Sequence, residues 1–173
     1  MKFLKQAVLG LALMMSALVA SAAGMSNYME NELADHLFRG RSFTAPTVLC
    51  VALLTAAPSD ASTGATVTEA SYAGYARGQL NQSASNWKGT GGETTATDST
   101  GTNGTVSNNS VITIGAAATS GPTVVTHFAL LDSCTIGAGN VYFYSALTAS
   151  KTINNGDPAP TFAVDALTVQ IDN

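Results

Sequence analysis

"TVLCVALLT", residues 47–55, is apolar on both alternating faces and is bounded by Pro46 and Pro58. A strand with one wet face alternates polar and apolar residues. This run of β-branched and aliphatic side chains does not, which predicts a central strand covered on both sides by other layers. The segments that follow supply its neighbours. "SYAGYARGQL" (71–80) places tyrosines and small residues at strand-like spacing, with Gly74 and Gly78 as bulge or bend positions. "SVITIG" (110–115) alternates cleanly. "TVVTHFALLD" (123–132) and "NVYFYSAL" (140–147) are the strongest later strands, and the Gly-rich "SCTIGAG" between them predicts a hairpin. In the closing "TFAVDALTVQID" (161–172), Leu167, Val169 and Ile171 share one face and Thr168 and Gln170 the other. Six to eight short strands with no helical pattern between them predict an all-β, antiparallel, jelly-roll-like β-sandwich. A parallel sheet would need crossover helices, for which the sequence has no pattern.

One short helix precedes the strands. "NYMENELADHLFRG" (27–40) offers Asn27 as cap, Glu30 three residues later, and Gly40 as terminator, predicting a helix over about 27–39. Met29, Leu33, Leu37 and Phe38 recur at three- and four-residue spacing, while Glu30, Glu32 and Asp35 face away. Such a stripe has to be buried against the chain's own sheet or a neighbouring subunit. These four residues are therefore the candidate subunit contacts. Aspartate at Leu33 or Leu37 is expected to cost several kcal/mol wherever the stripe is buried.

The chain has 173 residues, enough for one domain with its own core and few for two. Only 10% of residues are charged, and Gly, Thr, Ser, Ala and Asn are abundant, which suits a hydroxyl-rich β protein better than a helical bundle. Residues 1–24 have the three parts of a secretory signal: Lys2 and Lys5, an apolar run from Ala7 to Val19, and the small-x-small site Ala20-Ser21-Ala22. That run falls short of the roughly 20 residues that span a bilayer. The chain thus divides into a leader, 1–24, and one domain, 25–173. Of the 7 basic residues, Lys2 and Lys5 lie in the leader, so five stand against 11 acidic ones in the remainder, a formal charge of -6. That sign repels a phosphate backbone and argues against nucleic acid as a partner.

Residues 89–110, "GTGGETTATDSTGTNGTVSNNS", are Gly, Thr, Ser or Asn at 18 of 22 positions, too polar for a core position. They predict a long loop, either a plain hairpin excursion or a hydroxyl-rich surface that meets a partner subunit or a surface glycan. Catalytic constellations are sparse. His36 and His127 belong to no metal motif, and His127, inside an apolar strand, reads as a satisfied, partly buried histidine. No G-x-S-x-G elbow, P-loop lysine or G-x-G-x-x-G between strand and helix is present, so no cofactor is expected. Carboxylates for glycoside chemistry would have to come from Glu69, Glu93, Asp98, Asp132, Asp157 or Asp165, most of them beside turn residues, where Asp ordinarily bonds its own backbone. Cys50 and Cys134 have two readings. In an oxidising compartment they can bridge if their strands are neighbours or face each other; otherwise both are free thiols.

Taken in order, "MSNYMENELADHLFRGRSFTAPTVLCVALLTAAPSDASTG", "YARGQL", "VTHFALLDSCTIGAGNVYFYSALTASKTINNGD" and "ALTVQID" resemble a family of small bacteriophage virion proteins of the tail-fibre-like kind, along nearly all of residues 25–173. The resemblance implies a noncatalytic protein on the outside of a virus particle, as a capsid decoration (cement) or a tail-fibre-like component. It further implies a homotrimer with major capsid or tail proteins as partners, and it carries over no catalytic residues. Proteins of this kind usually begin at the equivalent of Met25. The extra leader leaves room for a second reading, a secreted or periplasmic bacterial surface or carbohydrate-binding module derived from a phage domain.

Overall fold

Along the chain, strand β1 (Gly24–Met25) and helix α1 (Asn27–Phe38) precede β2 (Cys50–Leu54), β3 (Gly78–Gln79), β4 (Trp87–Lys88), β5 (Thr105–Asn108) and β6 (Ile112–Thr113). Then come β7 (Thr123–Leu131), β8 (Val141–Ile153), β9 (Thr161–Phe162) and β10 (Thr168–Gln170). The computed structural model describes Leu18 and residues 24–171. The rest of the leader reading, 1–24, lies outside the described residues.

A five-stranded sheet, β1-β8-β7-β2-β3, faces a three-stranded sheet, β10-β5-β4, and a two-stranded one, β6-β9. Every strand pairing is antiparallel. The centre is the expected one: β2 is buried at every position. Pairing with β7 sets Val51 opposite Leu130 and Leu53 opposite Phe128. These four side chains enter the main core, where Ile112, Phe162, Leu167 and Val169 come down from the smaller sheets. The Phe128 and Phe162 rings meet edge-on across the layers, 6.1 Å between centroids. On the reverse face, Ala52, Leu54, Ala129 and Leu131 pack with Val141, Val67 and Tyr144. This second cover explains why β2 shows no alternation. Fully burying one such side chain contributes about 1.5–3 kcal/mol.

The hairpin β7–β8 forms as expected, with irregularities between Val125 and His127 and between Leu130 and Leu131. The 71–80 stretch yields a strand only at Gly78–Gln79. Gly78 is needed for close approach rather than a bulge, since a Cβ there would lie 2.7 Å from the Thr113 carbonyl oxygen. Residues 89–110 are not loop throughout: β5 lies inside them and pairs with β4 and β10. At its end Asn108 is fully buried. Its amide donates to Ser110 O (2.8 Å) and Ala163 O (2.7 Å), and its oxygen accepts from Leu167 N (2.9 Å). A polar side chain thereby replaces missing ladder bonds where three segments converge. At the C-terminal end Leu167 and Val169 are buried but Ile171 is exposed.

Two devices hold the β7–β8 loop. Cys50 pairs with Leu131 in register, which brings Cys134 within reach, and the two are joined as a disulfide with Cα atoms 5.4 Å apart. The second device is Arg77, whose side chain is fully enclosed. It donates to Glu69 Oε1 (2.6 Å), to Ser133 O (2.7 Å) and to Ala138 O (2.8 Å). Tyr75 Oη donates to Glu69 Oε2 at 2.6 Å, and burial together with this carboxylate pushes the Tyr75 phenol far above its ordinary range. Gly64 completes the clamp, because a Cβ there would fall 1.9 Å from Ala138 O.

Candidate assembly surface

Helix α1 starts one residue earlier than the Asn27 cap implies. Ser26, fully buried, is the N-cap: its Oγ accepts from Met29 N at 3.3 Å and donates to Val141 O at the start of β8. Ser26 N also donates to Tyr142 O at 3.1 Å, and the Tyr28 and Tyr142 rings sit 5.4 Å apart. The N-terminal end is therefore bolted to the sheet. The other end is not. Asp35 pairs with Arg39 (3.1 Å) and Arg41 (3.7 Å) at the surface, and no residue of the helix is buried.

The C-terminal end of the apolar stripe is thus left uncovered by its own sheet. Met29 and Leu33 are half-buried, whereas Leu37 is 61% and Phe38 84% exposed. Isolated exposed apolar residues are ordinary; here two large ones stand side by side at the end of a capped helix. An aspartate at Leu37 is accordingly expected to leave the protomer's stability nearly unchanged, contrary to the cost a buried stripe would impose.

Beside the helix lies a groove of about 420 Å³. Its floor is apolar: Met29 from α1, Phe43 beyond it, Leu49 before β2, Trp87 of β4, and Tyr142 and Phe143 of β8. Its rim is the β4–β5 hairpin, with Glu93, Thr95, Thr97 and Ser99. The Trp87 indole N–H donates to Leu80 O at 3.1 Å, which fixes the ring as one wall.

The charged groups near this surface are bonded to the fold. Glu93 accepts from Gly91 N (3.0 Å) and from both the amide (2.9 Å) and the hydroxyl of Thr100; the hydroxyl bond chiefly holds its carboxyl down at about 2. Lys88 pairs with Asp165 at 2.5 Å, and Ser107 donates to the same carboxylate at 2.7 Å; Lys88 chiefly depresses the Asp165 pKa. Asp132 accepts from Asn140 N (2.6 Å), and Asp157 from Asn154 N (2.7 Å). Together with Glu69, five of the six acids considered for glycoside chemistry brace backbone or ion pairs. His127 lies 2.8 Å from Thr126 Oγ1, its pKa lowered by burial, and His36 lies 3.0 Å from Arg41 O. Among the described residues no group of three or more His, Cys, Asp and Glu is placed to hold a metal.

Of the residues singled out in the sequence, Met29 joins the groove, Leu33 is half-buried, Leu37 and Phe38 project, and Cys50 and Cys134 meet. Sequence reasoning missed Trp87, Arg77 and Asn108. The signal for Arg77 was a lone arginine between aromatic and glycine residues in "YARGQL". For Asn108 there was none, since its segment is Asn-rich throughout.

The chain is thus an antiparallel β-sandwich with one short helix whose apolar end is exposed. Residues 24–170 match the family described as Podophage GP4 fiber I protein gp80, and the chain belongs to that family. It is thus a bacteriophage fibre-like virion structural protein. A search of curated proteins finds no match.

Proposed function

We propose that the chain is a noncatalytic fibre-like subunit that assembles as a homotrimer and attaches to major capsid or tail proteins, α1 supplying the contact through Met29, Leu33, Leu37 and Phe38. The observation that carries this is the uncovered helix end, with Phe38 at 84% exposure on a helix whose start is bonded to the sheet. Buried polar groups at the start fix the direction of the helix, so its apolar tip is presented rigidly. Preorganised apolar anchors of this kind lose little entropy on association. Capsid decoration and tail attachment both suit such a subunit. Mass spectrometry of purified particles, followed by a particle reconstruction, tests the reading: the chain is expected in the particle with α1 in an interface, and its absence would defeat the proposal.

A second reading, an exported bacterial surface or carbohydrate-binding module derived from a phage domain, is favoured by the signal-like leader and the Cys50–Cys134 bond, which suits an oxidising compartment. The Trp87 wall and hydroxyl rim of the groove would suit a glycan. Cell fractionation separates the two: a periplasmic product starting at Ala23 supports export, and an intact Met1 terminus in the cytoplasm removes it.

A further inference from the structure

Leu18 sits within the stretch that reads as a leader, yet it is only 3% exposed and belongs to the main core, in one cluster with Phe162, Leu167 and Val169. Its backbone is fixed as well. Ile114 N donates to Pro160 O at 2.9 Å, on the side of β9 that pairs with β6. In an antiparallel ladder successive residues turn their bonding groups to alternate sides. Thr161 therefore directs its carbonyl to the outer edge of β9, and there Leu18 N donates to it at 3.1 Å. Six residues on, Gly24 pairs with Tyr144 on the outer edge of β8, lying so close that a Cβ would come 3.2 Å from the tyrosine ring. The chain is thus anchored to an edge of the small sheet at Leu18 and to an edge of the large one at Gly24.

We propose that the outer edge of β9 and the core slot that Leu18 fills form an acceptor site for a leucine-bearing peptide segment, and that Leu18 of this chain is its occupant. Recognition combines a main-chain bond to a sheet edge with one apolar side chain in a pocket, the logic of strand addition. Leu18 is then part of the domain's core in addition to any role in an address. Cleavage after Ala22 would fall between the two anchors and leave Leu18 held by noncovalent contacts alone.

The test compares the full chain, its Leu18→Asp and Leu18→Met variants, and a chain starting at Gly24, with a labelled synthetic peptide of Met15–Ala23 as probe. Leu18→Asp is expected to lower the melting temperature by about 5 °C or more, and Leu18→Met to leave it within about 2 °C. The peptide is expected to bind the chain starting at Gly24 but not the full chain, and at least about ten-fold more weakly when it carries Leu18→Asp. Melting of Leu18→Asp with the parent, or equal binding of the two peptides, would overturn the proposal. Should the shortened chain fail to fold, the Asp and Met variants of the full chain decide the matter.

Discussion

Strand β2 and helix α1 are both rich in apolar residues, and the protomer treats them in opposite ways. All five residues of β2 are enclosed by two layers, while the twelve of α1 include none that is buried. Their ion pairs differ in the same sense. The side chains of Arg77 and Glu69, behind β2, are 0% and 6% exposed, whereas those of Arg39, the C-cap of α1, and Asp35 within it are 72% and 35% exposed. The apolar pattern alone says that a surface must be covered, and the difference between the two elements says by what. One is covered inside the chain, and the other leaves Leu37 and Phe38 exposed, the surface that the proposed assembly would cover.

The ion pairs give the largest expected contrast. Arg77→Met strands Glu69 in the interior and should cost about 3–5 kcal/mol in urea unfolding. Arg39→Ala on the helix should cost about 0.5 kcal/mol or less. Equal effects at the two sites would break the comparison. Next come the apolar pairs. Leu53→Ala is expected to lose about 2–5 kcal/mol, and Leu37→Ala about 0.5 kcal/mol or less in the isolated protomer.

Reducing the Cys50–Cys134 bond releases a link across a sequence separation of 84 and should lower stability by about 2–4 kcal/mol. Unfolding with and without dithiothreitol measures it. The smallest effect belongs to the β4–β5 hairpin. The carboxyl of Glu93 is held below its ordinary value of 4.5, at about 2, so its contribution is complete above pH 4.5 and is lost as pH falls toward 2. Hydrogen exchange at the Thr100 amide should accelerate over that window after allowance for intrinsic rates, and Glu93→Gln should abolish the dependence.

The elements legible in the sequence were those whose burial is continuous or strictly periodic. β2, β7 and the first half of β8 declare themselves through runs of apolar residues, and the hairpin between the last two through its glycines. The interior was less legible where polar groups do the joining. Arg77 and Asn108 lie in the core because their bonds are satisfied there, and composition cannot register that. Two-residue strands such as β3, β6 and β9 carry too few residues for any period to appear. Leu18 was hidden by its surroundings, since an apolar run fits a leader equally well. For the assembly surface, the spacing identified the stripe on α1 but not its uncovered end, because helical periodicity gives a direction without naming the neighbour.

Assembly through α1 is tested most directly by the native mass of the purified protein and of its Leu37→Asp/Phe38→Asp double variant. A trimer is expected for the parent and a folded protomer for the variant, with little change in protomer stability. A parent that is monomeric, or a variant that keeps the parent's mass, would contradict it.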